Sequence, residues 1–174
     1  MVNDKVIGSS KFRAISCPTS IGTAHFHIQE NAFDFNASYQ RDYVWTENEQ
    51  QKFLNSIRLG FPVGHYAIIE NDSFAEAKAY EWLEVVDGKQ RLTTLKLFFN
   101  DEIPIIVDNE SYLWSSLSLS EQRQFKSRHF PSYVFKNPES DLDILEFFYF
   151  INFGGVPQSD SHKQMIENKI KEMK

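Results

Sequence analysis

The feature that most constrains this chain is an abrupt change of period within eleven residues, Val85-Val86-Asp87-Gly88-Lys89-Gln90-Arg91-Leu92-Thr93-Thr94-Leu95. Before Asp87 the apolar residues run together, as in a buried strand. After Gly88 they recur at Leu92 and Leu95, and then at Phe98 and Phe99, the spacing of one helix face. Asp87-Gly88 leaves no room for a long connection. A strand must therefore turn directly into a helix, which requires a sheet with helices packed on it.

The flanking sequence extends this α+β reading. Thr46-Glu47-Asn48-Glu49 has the form of a capping box. Phe53, Leu54 and Ile57 follow on one face, Gly60 suits a left-handed C-terminal residue, and Pro62 forbids continuation, so a helix is expected over about 47–59. Tyr66 to Glu70 reads as a buried strand, Asn71-Asp72-Ser73 as a turn and Tyr80 to Val86 as a second strand. Ile103 to Val107, interrupted by Pro104, suits an edge.

Upstream, Phe33-Asp34-Phe35 looks like a strand end. Residues 1–32 read as irregular, with a short strand at Ala24 to Gln29. Downstream, a second capping box at Ser118-Leu119-Ser120-Glu121 opens a helix to about Arg128. Ser132 to Lys136 is extended, and Asp141 caps a helix that Asn152-Phe153-Gly154-Gly155 stops. Residues 161–173 form a last amphipathic helix. The reading is a single compact domain, with an α+β core over residues 1–110 and a helical extension over 111–174 packed on it.

Composition excludes several function classes. Sixteen Phe among 174 residues, with aromatics at 15%, supply ample apolar area for a core and argue against disorder. The net charge of −6 argues against a general coat for duplex DNA, whose sequence-independent affinity comes from basic residues on phosphates. One cysteine, Cys17, makes neither an internal disulfide nor a Cys-rich zinc site. No apolar stretch approaches the roughly 18–20 residues of a membrane span, so a cytoplasmic location is expected.

The strand-to-helix turn carries the chemistry. Helix N-termini present unpaired N–H groups and partial positive charge, so they suit phosphate. Gly88 lets backbone approach a ligand, Arg91 can fork onto two phosphate oxygens, and Asp87 is placed to hold a divalent cation or orient water. The alternative is a plain turn with Arg91 paired to a carboxylate. A second cluster, Tyr39-Gln40-Arg41-Asp42-Tyr43-Val44-Trp45, sets Arg41 among rings. Either the rings stack on the guanidinium, or they are core and Arg41 sits in an ion pair.

Other features read as structural. His25 and His27, two apart, would share a strand face, but half-buried histidines explain them better than a metal site. His65, His129 and His162 stand isolated. Arg123, Lys126, Arg128, His129 and Lys136 form a locally basic stretch, read as a solvated face with nucleic-acid contact as the alternative.

Taken in order, Tyr39 to Trp45, the helix ending Asn55-Ser56-Ile57-Arg58-Leu59-Gly60-Phe61-Pro62-Val63-Gly64, and Val85 to Leu95 resemble the N-terminal domain of GmrSD-type modification-dependent restriction enzymes. That family is marked by an Asp-Gly-Gln-Gln-Arg box. Phe150-Ile151-Asn152-Phe153-Gly154-Gly155-Val156-Pro157 is similar to its Arg-(Ile/Leu)-Asn-x-Gly-Gly segment, so the resemblance covers roughly residues 33–160.

The resemblance implies a ParB/sulfiredoxin-like fold and nucleotide binding and hydrolysis with a divalent cation, Mg²⁺. Asp87, Gly88, Gln90 and Arg91 match the box, Arg41 the upstream arginine, and Asn152 the late asparagine. On that basis Asp87 and Gln90 are the expected catalytic residues, with Asp87 also the metal ligand. Arg41, Gly88, Lys89, Arg91, Thr93 and Asn152 are expected at the nucleotide. Lys89 replaces a Gln of the box, adding a phosphate contact and removing an amide. Phe150 stands where the family has Arg.

No counterpart of the family's separate HNH-type nuclease module is expected in this sequence. The expectation is a stand-alone nucleoside triphosphate-binding domain with a nuclease-bearing partner. The alternative is a non-catalytic protein that binds DNA or a partner in a restriction or phage-defence system. The phenylalanine-rich C-terminal half also suits a homodimer.

Overall fold

The computed structural model describes residues 12, 14–70, 82–153 and 160–173. The expected turn at 71–73, the start of the expected strand at Tyr80, and Gly154-Gly155 lie outside the described residues.

A five-stranded mixed sheet organises the molecule. Its strands are β1 (Ala14–Cys17), β2 (Phe33–Asp34), β3 (Tyr66–Glu70), β4 (Leu83–Asp87) and β7 (Ser132–Lys136), in the order β1-β7-β3-β4-β2. Neighbours alternate in sense: β1 with β7 and β3 with β4 are antiparallel, whereas β7 with β3 and β4 with β2 are parallel. Residues 111–174 are thus more than helical, because they supply β7, a central strand. β5 (Ile105–Val107) and β6 (Glu110–Tyr112) form a separate hairpin. Pro104 precedes β5 instead of interrupting it.

Helices cover both faces, because the inner strands are apolar on both sides. In β3, Tyr66 and Ile68 point one way and Ala67 and Ile69 the other. The first pair, with Leu83 and Val85 of β4, packs against α1 (Ile21–Gln29), α2 (Glu47–Leu59), α3 (Lys89–Phe99) and α4 (Leu119–Lys126). The second pair, with Val86 and Phe135, packs against residues of α5 (Asp141–Phe153) and α6 (Asp160–Glu172). Phe147, Phe148 and Phe153 are buried there, whereas Phe150 is exposed.

Helix ends follow local chemistry closely. Thr46 Oγ1 accepts from Glu49 N, and the Glu49 carboxylate accepts from Thr46 N at 2.7 Å. Gly60 closes α2 at φ 82°, with Gly60 N donating to Ile57 O and Phe61 N to Ser56 O, a Schellman ending. In α5 the cap is Ser140 and not Asp141: Ser140 Oγ accepts from Asp143 N at 3.3 Å.

Residues 24–29 correct the sequence reading, since they belong to helix α1 and not to a strand. Ile21, Ala24 and Ile28 make the buried stripe, and the short alternation around His25 and His27 mimicked a strand. On a helix these two imidazoles diverge. His25 packs edge-on against Phe99 and His27 against Phe33, and burial lowers both pKa values. Among the described residues no group of three His, Cys, Asp or Glu side chains could hold a metal, and no helix is long and apolar enough to cross a membrane.

Candidate functional site

The β4–α3 corner is built on Gly88, at φ 92°. A Cβ there would lie 2.8 Å from Tyr66 Cβ on the neighbouring strand. Both the backbone angle and the close approach exclude other residues. With no side chain at Gly88 to cap it, α3 opens with its first N–H groups uncapped by the residue that precedes them.

The Tyr39–Trp45 segment has no helix or strand of its own. Side chains tie it to the corner. The Gln90 amide oxygen accepts from Val44 N at 2.9 Å and Trp45 N at 3.2 Å, and its nitrogen donates to Asp42 O at 2.9 Å. Gln40 Nε2 donates to Val85 O, and Tyr39 O–H to the Glu84 carboxylate. The Tyr43 hydroxyl shares a 3.0 Å bond with Thr94 Oγ1. Burial, above all, pushes both the Tyr39 phenol and the Glu84 carboxyl upward in pKa.

Between segment and corner lies a cleft of about 110 Å³. Arg41, Asp87, Gly88, Lys89, Gln90, Arg91 and Asn152 all line it, so residues from three distant stretches meet at one place. Thr93 is not among the lining residues and sits half-buried on α3. Gln40, Trp45 and Phe148 complete the wall. Phe148 was findable in the sequence, because it precedes Asn152 by one helical turn. Asn152 itself bonds back to Phe148 O at 2.9 Å.

Charge in the cleft is unevenly committed. Arg91 Nη2 meets Asp87 Oδ2 at 2.8 Å, and His65 Nε2 lies 3.4 Å from the same oxygen. No sequence signal linked His65 to Asp87, since β3 and β4 bring them together. Arg91 Nε is buried without an acceptor. Arg41 is exposed, with neither a ring nor a carboxylate bound to its guanidinium among the described residues. The rings around it hold the backbone instead: Tyr39 packs on Phe148 and Trp45 on Phe53.

The cleft thus presents two cations unpaired among the described residues, a paired arginine with a spare N–H, and a helix N-terminus, which together can take an anion. No curated protein and no solved structure matches the chain significantly. A family match does exist, to the GmrSD restriction endonuclease, N-terminal domain, over residues 25–171. That span contains every residue lining the cleft, and with nearly the whole sequence matched, the chain belongs to the GmrSD N-terminal domain family.

Proposed function

We propose that the chain is a nucleoside triphosphate-binding module of a restriction system, with the phosphates held between Arg41, Lys89 and Arg91 at the start of α3. One observation carries this reading. Motifs separated by roughly fifty residues converge on one cleft and, among the described residues, bring three cations and only one carboxylate to it. In a chain of net charge −6 such a concentration is a local device for anions. The buried, unmatched Arg91 Nε supports an acceptor arriving from outside the chain.

Positions differ in role. Gln90 is a positioning residue, because its amide is engaged by backbone on both ends. Asp87 orients Arg91 and is, among the described residues, the one carboxylate in the cleft able to steer a water toward a phosphate. The small cleft suits phosphate, with Trp45 in its wall offering a ring face to a base. The strand–glycine–helix corner in a small mixed sheet also supports a ParB/sulfiredoxin-like reading of the fold.

Calorimetric titration with ATP, GTP, CTP and UTP tests the proposal. Arg91→Ala is expected to weaken binding by about 1.5–3 kcal/mol, the range for a charge-assisted hydrogen bond. Absence of wild-type binding at millimolar nucleotide ends the proposal.

A second reading, binding without turnover, is favoured by the full engagement of Gln90. A phosphate-release assay separates the two: Asp87→Asn abolishes release if Asp87 steers the water, and wild type releases none if the module only binds. In either case the family points to a nuclease-bearing partner, which co-purification would reveal. DNA contact is tested by a salt-dependent gel shift, and dimerisation by light scattering.

A further inference from the structure

The family resemblance implies Mg²⁺, yet the donors in the cleft do not build a site for it. Asp87 is the only carboxylate in the lining among the described residues. Its Oδ2 already bonds Arg91 at 2.8 Å and lies 3.4 Å from His65, and its side chain is only 17% exposed. Mg²⁺ demands near-octahedral oxygen ligands and gives up water reluctantly. To engage Asp87 Oδ2 it would have to displace a guanidinium that has no other anchor among the described residues. It would also add two positive charges beside Arg41, Lys89 and Arg91.

We infer that Lys89 supplies the charge that a divalent cation would otherwise bring, so that this cleft binds its nucleotide without metal. The inference rests on the nucleotide reading above and specifies how that site neutralises phosphate. Lys89 is the first residue of α3, half-buried and in the cleft lining. It has no hydrogen bond or ion pair among the described residues, so its ammonium is uncommitted. A lysine at a helix N-terminus acts as a compact point charge with three donors, suited to phosphate oxygens that the flat guanidinium of Arg91 leaves uncovered. With Arg41, which feels the charge of Glu49 without an ion pair to it, it gives the cleft two cations that form no ion pair among the described residues.

The test is titration of the full chain with GTP, ATP, CTP, UTP and inorganic tripolyphosphate, each in EDTA and in Mg²⁺. Wild type is expected to bind in EDTA within about threefold of its affinity in Mg²⁺. Lys89→Gln is expected to bind about tenfold more weakly in EDTA, with Mg²⁺ carried on the phosphates, and needing no carboxylate of the cleft, recovering most of the loss. Lys89→Arg should keep metal-free binding. Thermal melts of each variant confirm that the fold is retained.

Wild-type binding seen only with Mg²⁺ overturns the inference and leaves nucleotide binding standing. An equal loss for Lys89→Gln in both buffers also overturns it, because Lys89 would then be one contact among several. No binding in either buffer removes the nucleotide reading and this inference together.

Discussion

The Gly88 corner and the Tyr39–Trp45 segment face each other across one cleft, but they are held by different forces. The corner is backbone architecture: β4 is laddered to β3 and β2, Leu92 N donates to Gly88 O, and Gly88 presses on Tyr66. The segment has no ladder and takes its shape from side chains of β4 and α3, chiefly Gln90. One wall is therefore intrinsic to the fold, while the other is borrowed from it. The arrangement lets Arg41 sit exposed and unpaired on a backbone that is nonetheless fixed.

The largest expected effect strikes the intrinsic wall. Gly88→Ala forces a side chain into a positive-φ position and against Tyr66, and should cost about 3 kcal/mol by denaturant unfolding. A smaller cost would mean that the corner can yield, and the contrast between the walls would weaken.

Next comes the borrowed wall. Gln90→Ala leaves Val44 N, Trp45 N and Asp42 O to find water, and should cost about 2 kcal/mol. Hydrogen exchange should quicken at the amides of Val44 and Trp45 while the β3 and β4 amides stay protected. Global loss of protection would show that the segment is as integral as the corner.

Arg41→Ala sharpens the comparison from the ligand side. Its stability should shift by no more than about 0.5 kcal/mol, because the side chain bonds nothing among the described residues. Nucleotide affinity should nevertheless fall about tenfold. Equal effects on both quantities would make Arg41 structural.

The smallest effect concerns Glu84, which anchors Tyr39. Burial raises its pKa in the folded protein, so its favourable, protonated state is fully present below the unfolded pKa of about 4.3 and is lost as pH rises through the folded value. Glu84→Gln keeps an acceptor for the Tyr39 phenol and removes the ionisation. Its melting temperature should match wild type near pH 4 and exceed it increasingly toward neutrality. A variant less stable than wild type near neutral pH would show that the carboxylate is needed as a charge.

Much of this was legible because the relevant forces are local. The Thr46–Glu49 box, the Gly60 ending and the period change at Gly88 each act within a few residues, and all three stand in the structure where their chemistry demands. Residues 24–29 misled because six residues are too few to separate period 2 from period 3.6 when histidines alternate with apolar neighbours. Ser140 and Asp141 are both good caps, and only the backbone decides between them.

The site divides in the same way. The residue types that meet a phosphate, an arginine and a bare glycine turn at a helix start, are consequences of sequence, because φ at Gly88 and the open N–H groups of α3 need no partner from elsewhere. Which of those residues remain available to a ligand was decided only by tertiary contacts. Gln90 and Asp87 are drawn into bonds with Val44, Trp45, Asp42 and Arg91, while Arg41 and Lys89 have no bonded partner among the described residues. The reason is that a hydrogen-bonding group is spent by whatever reaches it first, and the strands and loops that reach these groups lie up to about fifty residues away along the chain.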